Sequence, residues 1–164
     1  RNLEMIRFSN AHDQERGPNC GVTALSMVAG ISFAEAWKIC KGVSRTNRFR
    51  GGMYDQDIID SLGAANVKFK KLPMLEIRNG PCKWKTVQNF VAAADPAKTY
   101  YIVSTGHAQV SHNGQVADQG GVKDVGKYYG RRKKIRFVLE IIENQENNQA
   151  MQVFGLPLFD HKKY

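Results

Sequence analysis

Asn113-Gly114 lies between two alternating runs, His107–Ser111 and Gln115–Asp118. Asn followed by Gly accepts the two successive positive-φ conformations of a type I′ turn, whose twist matches that of antiparallel strands. The chain is therefore expected to double back here as a hairpin. A two-residue turn also sets the pairing: Gln109 faces Asp118, and His107 faces Gly120. Residues two apart on a strand share a face, so His107 and Asp118 project from the same side as diagonal neighbours. Diagonal neighbours stand about 7–8 Å apart at the backbone, a gap that side chains can close.

Upstream of the hairpin the pattern is mostly helical. A helix is expected from about Cys20 to Ala29, with Val22, Leu25, Ser26 and Ala29 on one side and Gly30 as its stop. Ser32 and Glu35 form a capping-box pair for a second helix, about Phe33 to Lys41. Gly42–Met53 reads as a basic loop carrying Arg45, Arg48 and Arg50. Tyr54–Ala64 predicts a third helix with Ile58, Ile59 and Leu62 facing inward. Thr86 is a fitting N-cap for a helix to Ala94, which Asp95-Pro96 ends. Leu3–Phe8, Asn66–Lys71, Thr99–Ser104 and Ile135–Ile142 read as strands. Helices followed by an antiparallel sheet predict an α+β domain. Residues 1–142 are expected to form it. Residues 143–164 read as a polar tail, rich in Asn and Gln up to Gln152, with apolar Val153–Phe159 as a docking arm.

The 164 residues, 42% hydrophobic and 24% charged, have ordinary globular composition, which excludes wholesale disorder, collagen and coiled coil. No apolar run reaches the roughly 18 residues of a membrane span. The first ten residues lack a signal-peptide core, and Arg1 is not an initiator Met. The 24 Lys and Arg against 15 Asp and Glu leave a net charge of +9, which favours an anionic partner. Cys20, Cys40 and Cys82 form no CxxC pair and read as free thiols in a reducing, cytoplasmic compartment. The Cys and His spacing offers no metal-ligand set, and no cofactor is expected.

One cysteine stands in a place that favours chemistry. A thiol in the first turn of a helix feels the positive end of the helix dipole, which favours the nucleophilic thiolate. Cys20 is expected there, after the turn Pro18-Asn19, with Gly21 behind it to let a substrate backbone approach. A cysteine on a helix is as often packing, so Cys20 alone decides nothing. His107 supplies a base, and Asp118 an acceptor that orients the imidazole. The Gln14 side-chain amide could help the Cys20 N–H stabilise an oxyanion. Cys82 is a weaker nucleophile candidate, because Lys83-Trp84-Lys85 separates it from the next helix and Glu76 lies six residues upstream. Cys40 reads as packing, and His12, His112 and His161 as loop, turn and tail residues.

The order Gln14, five residues, Cys20 at a helix start, then His107 and Asp118 resembles the papain-like cysteine peptidase superfamily. Asn19-Cys20-Gly21-Val22-Thr23-Ala24-Leu25-Ser26-Met27 is similar to the compact bacteriocin-processing type. Tyr100–Ala108 with Asn113-Gly114 and Val116-Ala117-Asp118 resembles the base-and-orienter hairpin of small bacteriophage-encoded members. The resemblance covers about residues 10–142. It implies a papain-like fold, an N-terminal helical lobe whose central helix packs on a C-terminal antiparallel sheet. It also implies a thiol protease acting on a protein or peptide, with Cys20 as nucleophile, His107 as base, Asp118 as orienter and Gln14 as oxyanion donor. A phage origin would place it in the host cytoplasm or the virion. Two features depart from papain: Gly21 replaces an aromatic residue, and the interval from His107 to Asp118 is short. Some relatives of this superfamily are inactive.

Two other classes fit parts of the sequence. Arg131-Arg132-Lys133-Lys134, with Arg45, Arg48, Arg50, Lys68, Lys70 and Lys71, suits an anionic polymer or nucleic acid. Such a chain would be a basic nucleic-acid-associated or virion structural module on a peptidase-like scaffold. Tyr128-Tyr129 could add base stacking, although adjacent aromatics more often divide between core and surface. A CHAP-type peptidoglycan amidase also uses Cys then His, and positive charge suits an anionic cell wall.

Overall fold

The computed structural model describes residues 19–73 and 86–142. The expected strand at Leu3–Phe8, Gln14, Cys82 and the tail 143–164 lie outside the described residues.

The first helix, α1 (Cys20–Ala29), is buried from Gly21 to Val28. It ends where Gly30 takes φ 70°, a left-handed conformation that costs glycine little. The Ser32 hydroxyl accepts the Glu35 N–H at 3.1 Å and starts α2 (Phe33–Val43). This helix runs two residues past the expected Lys41, so the basic loop begins at Ser44. The buried Asp57 carboxylate accepts the Tyr54 N–H at 3.1 Å and sets the start of α3 (Asp55–Ala64). The strand expected over Asn66–Lys71 shortens to β1 (Phe69–Lys71). Asn66 sits at φ 60°, and the Val67 N–H bonds back to the Leu62 carbonyl, so these residues close α3 instead. Thr86 caps α4 (Val87–Ala93), its hydroxyl accepting the Asn89 N–H.

The remaining strands are β2 (Thr99–Ser104), β3 (His107–His112), β4 (Gln115–Asp118), β5 (Gly121–Asp124) and β6 (Ile135–Ile141). They form a six-stranded sheet in the order β1-β6-β2-β3-β4-β5, with antiparallel neighbours. Asn113 and Gly114 both have positive φ, and Val110 pairs with Ala117, the register expected of a two-residue turn. His112, expected in the turn, is instead the last residue of β3 and is buried. Its Nδ1 lies 3.0 Å from Thr99 Oγ1 and 3.1 Å from the Lys98 carbonyl.

Both faces of the sheet are covered. Tyr101, Val103, Val110, Ala117 and Leu139 pack with Val22, Leu25, Val28 and Leu62 of the helices. On the opposite face Tyr100, Ile102, Val116 and Val138 pack with Val87, Phe90 and Val91 of α4. Every residue of β2 is therefore buried, which explains the unbroken run Tyr100-Tyr101-Ile102-Val103. Each fully buried side chain of this size contributes roughly 1.5–3 kcal/mol by leaving water. The fold is α+β, an antiparallel sheet with α1, α2 and α3 on one face and α4 on the other. Among the described residues no single helix is long and apolar enough to cross a membrane.

Candidate active site

Cys20 is the first residue of α1, and the neighbouring Gly21 carbonyl accepts the Tyr101 hydroxyl at 3.3 Å. The start of the helix is thus pinned to the middle of β2. His107 is the first residue of β3, and its imidazole lines the same cleft as Cys20, close enough for each group to shift the other's charge state. On the other side, His107 Nε2 is 2.8 Å from Asp118 Oδ2. With Nε2 committed to the carboxylate, Nδ1 is the nitrogen left for sulfur. Cys20, His107 and Asp118 form one line across the helix–sheet junction.

Asp118 is held by four donors. Its Oδ1 accepts the Gly120 N–H at 2.8 Å. Its Oδ2 faces His107, the Tyr129 hydroxyl at 2.8 Å and the Tyr128 hydroxyl at 3.0 Å. A carboxylate oxygen has about two acceptor sites, so the three groups around Oδ2 compete for it. The Tyr128 hydroxyl also lies 2.8 Å from Oε1 of the fully buried Gln109, so its one proton is shared. Gln109 in turn donates to the Ile102 carbonyl at 2.6 Å. This buried network prevents the carboxylate from turning away from the imidazole.

The charges follow from these contacts. Burial works against the Cys20 thiolate, but the hydrogen bond and charge of His107, helped by the Ala108 and Gly21 N–H groups, outweigh it. The thiol is held below its ordinary value. Burial also disfavours the imidazolium, yet Asp118 and Cys20 together push His107 up to about 9. Desolvation would raise Asp118, but bonds from His107, Gly120 and Tyr129 hold it low. The arrangement favours a thiolate–imidazolium pair near neutral pH. Cys40 is the contrast. It lies on α2 with its side chain fully buried, and desolvation with the nearby Asp57 charge pushes it up to about 12.

A cleft of about 200 Å³ opens over the sulfur, lined by Cys20, Gly51, Met53, Ser104, His107 and Arg136 among others. Arg136 is ion-paired with Asp55 on its wall. A Cβ added to Gly21 would stand 2.9 Å from Met53 Sδ, so this glycine makes room for Met53 in the cleft.

Tyr129, Tyr128 and Gln109 were not expected among the site residues. The tyrosine pair does divide as adjacent aromatics often do: Tyr128 is buried and Tyr129 is 65% exposed. The short 3₁₀ turn Val125–Lys127 brings them back over the hairpin, and no local pattern marks that return. Of the basic run, Arg131 donates to the Tyr128 carbonyl and Lys133 to that of Thr105. Arg45 is engaged by Asp57 and Asp60. Among the described residues no three His, Cys, Asp or Glu side chains gather as a metal-binding group.

Comparison of the chain with protein-family profiles, curated proteins and solved structures found no match.

Proposed function

We propose that this chain is a papain-like cysteine hydrolase that cleaves a peptide or amide bond. The observation that carries the reading is the continuous line from Cys20 through His107 to Asp118, open to a cleft at the sulfur end.

The Cys20 thiolate attacks the substrate carbonyl carbon. A C–S bond forms and the carbonyl π pair moves onto oxygen. The Cys20 N–H, at the positive end of α1, is the first donor for that oxyanion. Gln14, whose position lies outside the described residues, is proposed as the second. As the C–N bond breaks, imidazolium Nδ1 of His107 gives its proton to the leaving nitrogen. Neutral His107 then takes a proton from water, whose oxygen attacks the thioester carbon. Loss of the C–S bond releases the acid and restores the thiolate–imidazolium pair. Asp118 stays ionised throughout and keeps Nε2–H occupied, which presents Nδ1 to the sulfur.

Alkylation by iodoacetamide at pH 7, read by peptide mass spectrometry, tests this. Fast and selective modification of Cys20 that disappears in His107→Ala is expected. Hydrolysis of a peptide library should likewise vanish in Cys20→Ala. Equally slow labelling of every cysteine would overturn the reading.

A further inference from the structure

A second groove, of about 410 Å³, is lined by Thr46, Arg48, Arg50, Gly52, Met53 and Tyr54. It shares Gly52 and Met53 with the cleft over Cys20, and its lining does not include His107. The loop that bears it is anchored. Phe49 turns inward and packs edge-on against Trp37, with ring centroids 4.8 Å apart. Its neighbours Arg48 and Arg50 are thereby sent outward, and both are exposed. The Thr46 N–H bonds to Ser44 Oγ and the Arg48 N–H to Thr46 Oγ1, which stiffens the turn leading to them.

The nearby carboxylates are already engaged. Asp55 pairs with Arg136, and Asp57 and Asp60 both meet Arg45. Among the described residues neither Arg48 nor Arg50 has a carboxylate within ion-pair distance. Two cations thus line a groove that shares Gly52 and Met53 with the nucleophile's cleft, beside the exposed Tyr54.

We infer that this groove is a specificity subsite for an acidic side chain of the peptide substrate, with Arg48 and Arg50 as the recognising residues. The inference rests on the hydrolase reading. Under it, His107 hands its proton to the leaving nitrogen, so the leaving segment lies on the His107 side. The groove meets the cleft at Gly52 and Met53, so it receives the acyl side of the substrate. A guanidinium pair matches the planar geometry of a Glu or Asp carboxylate. Its shared wall with the cleft over Cys20, at Gly52 and Met53, favours a peptide over a nucleic acid.

The test uses acetyl-tripeptidyl vinyl sulfones that differ only at the second residue from the warhead, which carries Glu, Gln or Lys. Rates of Cys20 alkylation are followed by intact mass at low and moderate salt. The Glu probe should react about fivefold to tenfold faster than the Gln probe, as expected for partly exposed charge-assisted contacts, with the advantage shrinking in salt. In Arg48→Gln/Arg50→Gln the Glu-to-Gln ratio should fall to near one. In Arg48→Glu/Arg50→Glu the Lys probe should become the fastest, a gain that misfolding cannot produce. If iodoacetamide modifies Cys20 rapidly but wild-type protein does not distinguish Glu from Gln, the subsite is refuted and the hydrolase reading stands. If iodoacetamide itself reacts slowly, the hydrolase reading fails first. If the probes are not distinguished but a labelled oligonucleotide binds wild type and not the Gln double variant, the groove serves nucleic acid and the inference is overturned.

Discussion

Replacing Asp118 by Asn removes one charge while keeping the side chain's size, and its effect can be worked out from the contacts. Lifting an imidazole from 6.5 to about 9 amounts to roughly 3 kcal/mol in favour of imidazolium, at about 1.4 kcal/mol per tenfold. Asp118 and the Cys20 thiolate share that stabilisation. If the carboxylate supplies about half, its loss lowers the thiolate–imidazolium pair by roughly tenfold relative to the neutral pair. The amide offers one accepting oxygen where the carboxylate has two, so either the Gly120 N–H on Oδ1 or the groups around Oδ2 lose their acceptor. The assays are Cys20 alkylation by iodoacetamide, which follows the thiolate, and turnover of a peptide amide, which needs the imidazolium, each from about pH 5 to 10 with circular dichroism as the folding check. In wild type the reactive pair forms as the depressed thiol ionises and is lost as His107 deprotonates near 9. Imidazolium-dependent features, above all turnover of an amide substrate, should therefore decline above about pH 9. In Asp118→Asn that alkaline decline should move toward neutral, and the alkylation rate at pH 7 should fall by about tenfold. An unchanged pH profile in a folded variant would falsify the claim that Asp118 governs the charge state of His107.

Three further outcomes follow from the same contacts. Tyr128→Phe removes the hydroxyl between Gln109 and Asp118 and should cost on the order of 1–3 kcal/mol of stability, read by urea denaturation. At pH 8 iodoacetamide should modify Cys20 at least about 100-fold faster than Cys40, whose thiol is buried and raised to about 12, and the difference should vanish in urea; equal native rates would contradict the burial argument. Gly21→Ala sets a methyl group where Met53 Sδ lies 2.9 Å away, so Met53 must move within the cleft. Bulky peptidyl probes should then slow by about tenfold or more while the small iodoacetamide slows less, a difference read as the ratio of the two rates.

Features set by neighbouring residues were legible in the sequence. The limits of α1, the Ser32 and Thr86 caps, the Gly30 stop and the Asn113-Gly114 turn depend on bonds between residues a few positions apart. The turn also set the register, so the meeting of His107 with Asp118, eleven positions away, could be argued from pairing alone. Where local reading erred, a nearby backbone bond competed. Val67 closes α3 instead of extending β1, and His112 finishes β3 because a two-residue turn leaves it paired with Gln115.

The rest was decided by burial across long stretches of chain. The insertion of β6 between β1 and β2 follows from covering both faces of the sheet, which no short pattern encodes. The contact of Cys20 with His107 needs α1 to lie across β3, its end tied by Tyr101 to Gly21. Tyr128 and Tyr129 reach Asp118 only because β5 and the turn after it return over the hairpin. Hydrogen bonds between near neighbours are specified by a few adjacent residues. Which distant groups share a dry, mutually satisfied cluster depends on how the whole core excludes water, and that is settled only when the layers close.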